Sequence, residues 1–429
     1  MRFIGLDLHK RQLVLCAMNR SGQVLFRESV DCRREALVAF AKARLCETDQ
    51  LAVEATTNTW AVADILRPFV ASITVANPMQ VKAIAQAKVK TDKIDAGVLA
   101  NLLRCDYLPT VWTPDAATQK LRHLTTLRGG LIIDRSRLKN RVQSLLAQLL
   151  VVPPVRVVFT QKGIQWLQKV ELPQEARSAI NLYLRLYEGV NQEIEKINNQ
   201  LMGMAYDDNR AKLLMTLPGV AHGVAITLLG ALGDIHRFKD GDHAASYLGL
   251  TPRLHQSGSK SRFGRITKAG CPQTRATLVQ AVQAASDHPG PIGAFFRRLR
   301  KRKKYNVAII ATARKMVTIA YLMLKNNEPY RYAKIDVVKK KLAKCRSFGQ
   351  QQADGPAATK SQVGSSPLNE LYQRHGLSPC QSPTAWSDGE RKALTTAEVM
   401  EFAESSHGAV SKEQKSSTHK TIKKKYIRT

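Results

Sequence analysis

Residues 2–8, Arg2-Phe3-Ile4-Gly5-Leu6-Asp7-Leu8, decide how the chain is read. Apolar residues crowd this run, and a carboxylate, Asp7, stands among them, where burial is costly unless something binds it. Two more β-type runs follow at 12–19 and 24–31, separated by His9-Lys10-Arg11 and by a turn signal from Asn19 to Gly22. Three short strands with tight turns make an antiparallel meander. Downstream, the pattern predicts a helix over 33–44, a strand over 51–54, a helix over 58–69, a strand over 72–76 and a helix opened by Pro78. The order βββαβαβα predicts a mixed α/β sheet with helices on its faces, the ribonuclease H-like order.

In that order the first and fourth strands are neighbours. Glu54 ends the run Leu51-Ala52-Val53-Glu54 much as Asp7 sits near the end of the first. Farther on, Lys90-Thr91-Asp92-Lys93-Ile94-Asp95-Ala96 places two aspartates three apart at a helix start, so both face one way. A helix beginning near 92 and packed across the two strands would bring Asp7, Glu54, Asp92 and Asp95 together. Four carboxylates repel unless divalent cations lie between them, and hard oxygen ligands favour Mg²⁺ or Mn²⁺. Two such ions, roughly 4 Å apart, polarise a phosphodiester and stabilise its entering and leaving oxygens. Singly, Asp92 also fits a helix cap, Asp7 a turn brace and Glu54 a surface position. Jointly, with the order of elements and a basic remainder, the metal reading prevails.

The charge balance supplies that remainder. The 429 residues carry 66 Lys and Arg against 34 Asp and Glu, a net charge of +32. A surplus of this size favours a polyanion, because each cation that neutralises a phosphate releases counterions. It is uneven: the first 110 residues hold 15 basic against 11 acidic side chains, which suits a metal site better than a phosphate cradle. The seven cysteines form no CxxC pair, excluding zinc-finger spacing, and read as reduced cytosolic thiols. The longest apolar run considered, 224–232, is about half what a membrane span needs, and Asp7 interrupts any signal-peptide core. The expectation is a cytoplasmic protein with no membrane partner.

Residues 118–150 form a long amphipathic stretch, with Leu121, Leu124, Leu127, Leu131 and Leu138 at helical spacing and Arg122, Arg128, Arg135, Arg137, Lys139 and Arg141 interleaved. Pro153-Pro154 stops it, and a second helical stretch covers 174–202. The pair reads equally as an oligomerising arm and as part of a helical domain. Leu217-Pro218-Gly219-Val220 before the apolar helix 224–232 resembles one helix-hairpin-helix unit, whose glycine turn presents backbone N–H groups to phosphate. The Gly/Ser-rich stretch 251–270 reads as a flexible basic loop, with Arg253, Lys260, Arg262, Arg265 and Lys268 for phosphate contacts. Ser257 and, two residues away, His255 lie in it, but nothing local makes the serine a nucleophile. Seven of the eight residues 297–304 are basic, and Arg297, Arg298, Arg300, Lys301 and Arg302 are candidates for the nucleic-acid backbone. Beyond 330 the composition turns to Ser, Gln, Lys and Pro, which predicts a basic, disordered tail. The expected division is 1–110, 111–205, 206–330 and 331–429.

These segments resemble the DEDD-type insertion-sequence transposases, a group that includes the pilin-gene DNA invertases. The blocks carrying the likeness are Ile4-Gly5-Leu6-Asp7, Val53-Glu54-Ala55-Thr56, Lys90-Thr91-Asp92-Lys93-Ile94-Asp95-Ala96, Leu217-Pro218-Gly219-Val220, Tyr247-Leu248-Gly249-Leu250-Thr251-Pro252-Arg253, Gln256-Ser257-Gly258 and Thr267-Lys268-Ala269-Gly270. They run collinearly through residues 1–330. The resemblance implies a Holliday-junction-resolvase-like N-terminal domain whose acidic positions fall on Asp7, Glu54, Asp92 and Asp95. It implies a mainly α C-terminal transposase domain whose essential serine falls on Ser257. It further implies double-stranded DNA as substrate, a circular intermediate, a structured guide RNA encoded at the element's end, oligomers, and a place on the bacterial nucleoid. About 100 residues follow the end that the family pattern expects. On this reading Ser257 attacks a scissile phosphate and becomes linked to the cut end, while metal held by the four carboxylates activates the attack. The rivals are a junction-type endonuclease that uses water, and a nucleic-acid-binding protein without chemistry. Intact carboxylates at all four positions count against the second.

Overall fold

The computed structural model describes residues 1–84, 92–257, 260–349 and 366–408, without the side chains of Asp92, Lys93, His255, Ser257 and Lys260. Strands β1 (Phe3–Leu8), β2 (Gln12–Met18) and β3 (Val24–Asp31) form the antiparallel meander that the turn residues predict. After α1 (Arg34–Arg44), β4 (Gln50–Glu54) pairs parallel with β1. After α2 (Thr59–Leu66), β5 (Ser72–Ala76) pairs parallel with β4, giving the order β3-β2-β1-β4-β5. Helices α3 (Pro78–Ile84) and α4 (Asp92–Arg104) follow. The mixed sheet with helices is therefore as the sequence predicts.

Alternation assigns the faces of the sheet. Ile4, Leu6 and Leu8 pack with Leu51 and Val53 against Leu37 and Phe40 of α1 and Val62 and Leu66 of α2. Gly5 and Asp7 point the other way, to the face where Val14, Cys16 and Ala52 meet Ala96, Leu99 and Ala100 of α4. A Cβ on Gly5 would stand 2.0 Å from the Ala96 carbonyl oxygen and 2.5 Å from the Ala100 nitrogen. Only glycine lets α4 lie this close to β1. At the far end of α4, Arg104 donates to the Arg20 carbonyl in the β2–β3 turn. That turn lies beyond the Phe3 end of β1, where Phe3 pairs with Met18. So α4 runs antiparallel to β1, and its first turn, with Asp92 and Asp95, comes to the Asp7 end.

Two compact units divide the chain at residues 115 and 116. In the second, α5 (Ala116–Gln148) and α7 (Gln174–Asp207) lie side by side and antiparallel, since Arg128 bonds Asn198 and Arg135 bonds Asn191. Helix α6 (Gln161–Lys169) closes their far end through Leu146, Val158, Leu167 and Ile180. Next come α8 (Asn209–Met215), α9 (His222–Leu232) and α10 (Gly241–Tyr247). Strands β6 (Pro252–Ser257) and β7 (Lys260–Ile266) form a hairpin. The chain continues through α11 (Pro272–Ala285), α12 (Pro291–Arg300), α13 (Tyr305–Asn326) and α14 (Ile335–Arg346). It ends with α15 (Pro367–Arg374), α16 (Asp388–Thr396) and α17 (Met400–Ser405). One large core unites α8 to α13 with the inner ends of α5 and α7.

Three expectations need correction. Residues 251–270 are a hairpin rather than a flexible loop: Leu254 pairs with Phe263 and Gln256 with Ser261 across it. Helix α13 is long and apolar enough to cross a membrane, unlike any run considered above, yet Ala308, Ile309, Ala313, Met316, Val317 and Ala320 are buried in the core, as in a soluble protein's central helix. The described part of the tail is folded. Val338, Leu342 and Cys345 of α14 and Leu368, Leu371 and Tyr372 of α15 belong to that same core. Their period was masked by the Lys and Ser around them; residues 350–365 and 409–429 lie outside the described chain.

Candidate functional site

The site builds from the C-terminal ends of two parallel strands. Leu6 pairs with Val53 in register, so the next residues on each strand, Asp7 and Glu54, stand side by side. Both belong to the face that α4 covers. The Asp7 side chain keeps 17% of its surface exposed although its Oδ2 is buried, and His9 Nε2 lies 3.3 Å from that oxygen. The loops that leave the strands are tied down. Buried Thr59 donates its hydroxyl to the Glu54 carbonyl at 2.7 Å and accepts from the Thr56 N–H at 2.7 Å. Asn58 donates to the His9 carbonyl at 3.1 Å, joining the loop after β4 to the loop after β1. Helix α4 begins at Asp92, and Asp95 in its first turn is half-buried. Asp92 precedes Ala96, which packs on Gly5, by one helical turn.

These carboxylates share one end of the sheet and one covering helix. Among the described residues, no three His, Cys, Asp or Glu side chains stand close enough to hold a metal ion. The Asp92 side chain and residues 85–91, which include Lys90 and Thr91 of the motif, lie outside the described set. Sequence reasoning missed His9, Asn58 and Thr59. The signal for the last two was present, since Thr56-Thr57-Asn58-Thr59 is a helix-opening cluster of capping residues.

At the opposite end of the sheet stands another carboxylate that the sequence did not single out. Asp49 is fully buried, and the Arg2 guanidinium bonds it through two nitrogens at 2.8 and 2.6 Å. Burial alone would raise its pKa. The Arg2 bonds and the Cys46 N–H outweigh that and hold it below the ordinary carboxylate value.

The second candidate segment is the β6–β7 hairpin, whose root is locked by glycines. Gly249 has φ +71 and its Cβ would meet the Ala269 oxygen at 2.3 Å; Gly270 has φ +68 and would meet the Tyr247 oxygen at 2.5 Å. Arg275 spans the root, donating to the Ala269, Gly270 and Leu248 carbonyls. The Gly-Leu-Thr-Pro-Arg and Lys-Ala-Gly blocks therefore close the base of a hairpin. Ser257 is the last residue of β6, paired in register with Lys260. Arg253, Arg262, Arg265 and Lys268 are exposed on or beside the hairpin, and so are Leu254 at 53% and Phe263 at 73%.

The basic run on α12 is less uniform than its sequence. Arg297 is occupied, donating to the Ser286 and His288 carbonyls at the end of α11. Arg300 bonds the Lys303 carbonyl, while Arg298, Lys301 and Arg302 are exposed. The turn between α8 and α9 also has an internal role. Gly219 has φ +76, and a Cβ there would lie 2.0 Å from the Ala281 oxygen of α11, so this glycine serves the turn and its packing. From α14, Lys341 caps the end of α8 through the Met215 and Leu217 carbonyls at 2.9 and 3.1 Å, and burial pushes its pKa down to about 8.

Comparison with known proteins matches these two regions separately. A family model described as a transposase matches residues 4–151, and a model of the IS116/IS110/IS902 transposase family matches residues 211–297. The chain is similar to a putative transposase of Sinorhizobium fredii, 26% identical over 77% of this chain and 86% of the relative. It is similar to the transposase for insertion sequence element IS1111A of Coxiella burnetii, 24% identical over 77% of this chain and 91% of the relative. A pilin gene-inverting protein of Moraxella bovis is 27% identical over 60% of this chain and 74% of its own length.

Proposed function

Because this chain carries both domains of the IS116/IS110/IS902 transposase family and is a member of it, we propose that it cuts and rejoins the DNA strands of an insertion sequence. The observation that carries the reading is the antiparallel set of α4 on β1, with its first turn at the strand ends that bear Asp7 and Glu54. The strand order β3-β2-β1-β4-β5 supports a ribonuclease H-like domain. Asp7, Glu54, Asp92 and Asp95 would hold Mg²⁺ or Mn²⁺, since their hard oxygens suit those ions. When bound, such ions supply charge stabilisation to a phosphodiester.

Ser257 is the nucleophile of the proposed exchange. Its Oγ forms a bond to the scissile phosphorus as the bond to the leaving sugar oxygen breaks. The serine proton passes to a base, and the leaving oxygen takes one up. The phosphoserine link keeps the energy of the broken diester, so the reverse attack by a new strand end rejoins DNA without ATP. Exposed Arg253, Arg262, Arg265 and Lys268 hold the backbone near that serine. A structured guide RNA, a homo-oligomer and a bacterial cytoplasmic location complete the proposal, supported by the net charge of +32 and by the family.

Excision of a DNA segment bounded by element ends tests the carboxylates. Asp7→Asn and Asp95→Asn should each abolish excision and lose the Mg²⁺ or Mn²⁺ binding that calorimetry finds in the unsubstituted protein. Undiminished ion binding in both variants would remove the metal assignment.

A further inference from the structure

A cavity of about 320 Å³ opens between the first half of α5, α9 and the start of α11, at the root of the β6–β7 hairpin. Among the described residues its charged lining is Arg122 and Arg128, with no Asp or Glu. Arg122 is bonded to the Gly230 and Ala231 carbonyls and to the Tyr247 hydroxyl. Arg128 is different. It gives Nε to the neutral Asn198 amide at 2.6 Å, and its neighbours His222 and Arg135 bring no negative charge. Burial, and then Arg135, pull its pKa below the ordinary arginine value, as expected of a partly desolvated cation with no carboxylate among its described partners. An anion entering the cavity would repay that desolvation.

The rest of the lining suits a body that both packs and hydrogen-bonds. Ile132, Ile133 and Leu248 supply apolar wall, and Thr126, Thr277 and Gln280 supply hydroxyls and an amide. Gly129 also lines it, beside Gly130, inside a helix of 33 residues. Each interior glycine costs about 1 kcal/mol relative to alanine, so the pair asks for a reason. A Cβ on Gly129 would meet the side-chain amide of Gln273 at 2.5 Å, while a Cβ on Gly130 would meet nothing within 4 Å. Gly129 thus lets the Gln273 side chain, whose amide donates to the Thr126 carbonyl at 3.3 Å, lie against α5 at the cavity wall.

We infer that this cavity binds one nucleotide unit, its phosphate on Arg128 and its base between the aliphatic wall and the threonine and glutamine side chains. A bare phosphate would leave most of the volume empty, and an uncharged apolar ligand would leave Arg128 uncompensated. The inference deepens the reading above: in that reading the occupant is an unstacked nucleotide of the bound nucleic acid, beside the hairpin that carries Ser257. Extruding a nucleotide is affordable where such a pocket receives it.

The test uses the full chain and the fluorescent 2-aminopurine deoxynucleoside monophosphate, with deoxyadenosine monophosphate, deoxyadenosine and inorganic phosphate as competitors. The nucleotides should bind at least about tenfold more tightly than either fragment, the value of one charge-assisted hydrogen bond. Arg128→Gln should weaken the nucleotides about tenfold and leave deoxyadenosine unchanged. Gly129→Leu should abolish binding, Gly130→Ala should leave it intact, and thermal unfolding of each variant verifies the fold. Equal competition by inorganic phosphate, indifference to Arg128→Gln, or no nucleotide binding would overturn the inference. DNA cleavage without nucleotide binding would sink the cavity and spare the transposase reading; nucleotide binding without cleavage would do the reverse.

Discussion

The two ends of the N-terminal sheet hold carboxylates of opposite character. At the closed end, Asp49 is fully buried and gripped by Arg2 through two hydrogen bonds. At the open end, Asp7 keeps part of its surface exposed and shares the strand ends with Glu54, under the first turn of α4. The same contrast recurs in the second unit. The described tail buries its apolar side chains in the core, whereas the β6–β7 hairpin leaves Leu254 and Phe263 exposed among arginines. The buried groups hold the fold, and the partly exposed ones include the carboxylates and arginines proposed to meet metal and nucleic acid.

The largest effect should follow from removing a closed part. A chain stopped after Lys334 loses Val338, Leu342, Leu368, Leu371 and Tyr372 from the core. At about 2 kcal/mol for each buried apolar side chain, the second unit should lose its cooperative thermal transition. A soluble truncation with an unchanged transition would show that the tail merely lies on the surface. Next in size is Gly5→Val, which forces α4 off β1. Overpacking against backbone should cost about 3 kcal/mol in a denaturant titration and remove excision with it.

Asp49→Asn comes third. It takes a charged partner from Arg2 and should cost about 2 kcal/mol. The pH dependence has a definite sign. A carboxylate whose folded pKa lies below its unfolded value contributes stability above the unfolded value, and that stability is lost as pH falls through the folded pKa. The Arg2–Asp49 contribution should therefore persist at neutral pH and disappear only below about pH 4. Smallest are the effects at the open parts. Phe263→Ser should change stability by no more than about 0.5 kcal/mol while weakening nucleic-acid binding. Asp7→Asn should leave stability unchanged or slightly raised, because it removes like charge from beside Glu54. A marked loss of stability in Asp7→Asn would erase the contrast between the two ends.

The open end was the legible one. A carboxylate inside an apolar strand announces itself by its cost, so Asp7 and Glu54 could be read, and the element order placed their strands as neighbours. Asp49 was silent because nothing in Glu47-Thr48-Asp49-Gln50 shows that Arg2, 47 residues away, meets it. The hairpin was readable in principle. Leu254 and Phe263 flank Gly258-Ser259, but the Gly/Ser content suggested a loop. The tail failed for a related reason: Val338 and Leu342 are sparse among lysines, and only a core already built by α8 to α13 shows what buries them.

The most direct test of the central claim is to quench the full chain with denaturant during its reaction on DNA bearing the element ends, and to look for protein joined to a strand end. The account predicts a covalent adduct on the peptide containing Ser257, absent from Ser257→Ala and from Asp7→Asn although both still bind DNA. Strands cut at the element boundary with no adduct, or cutting that persists in Ser257→Ala, would make water the nucleophile and contradict it.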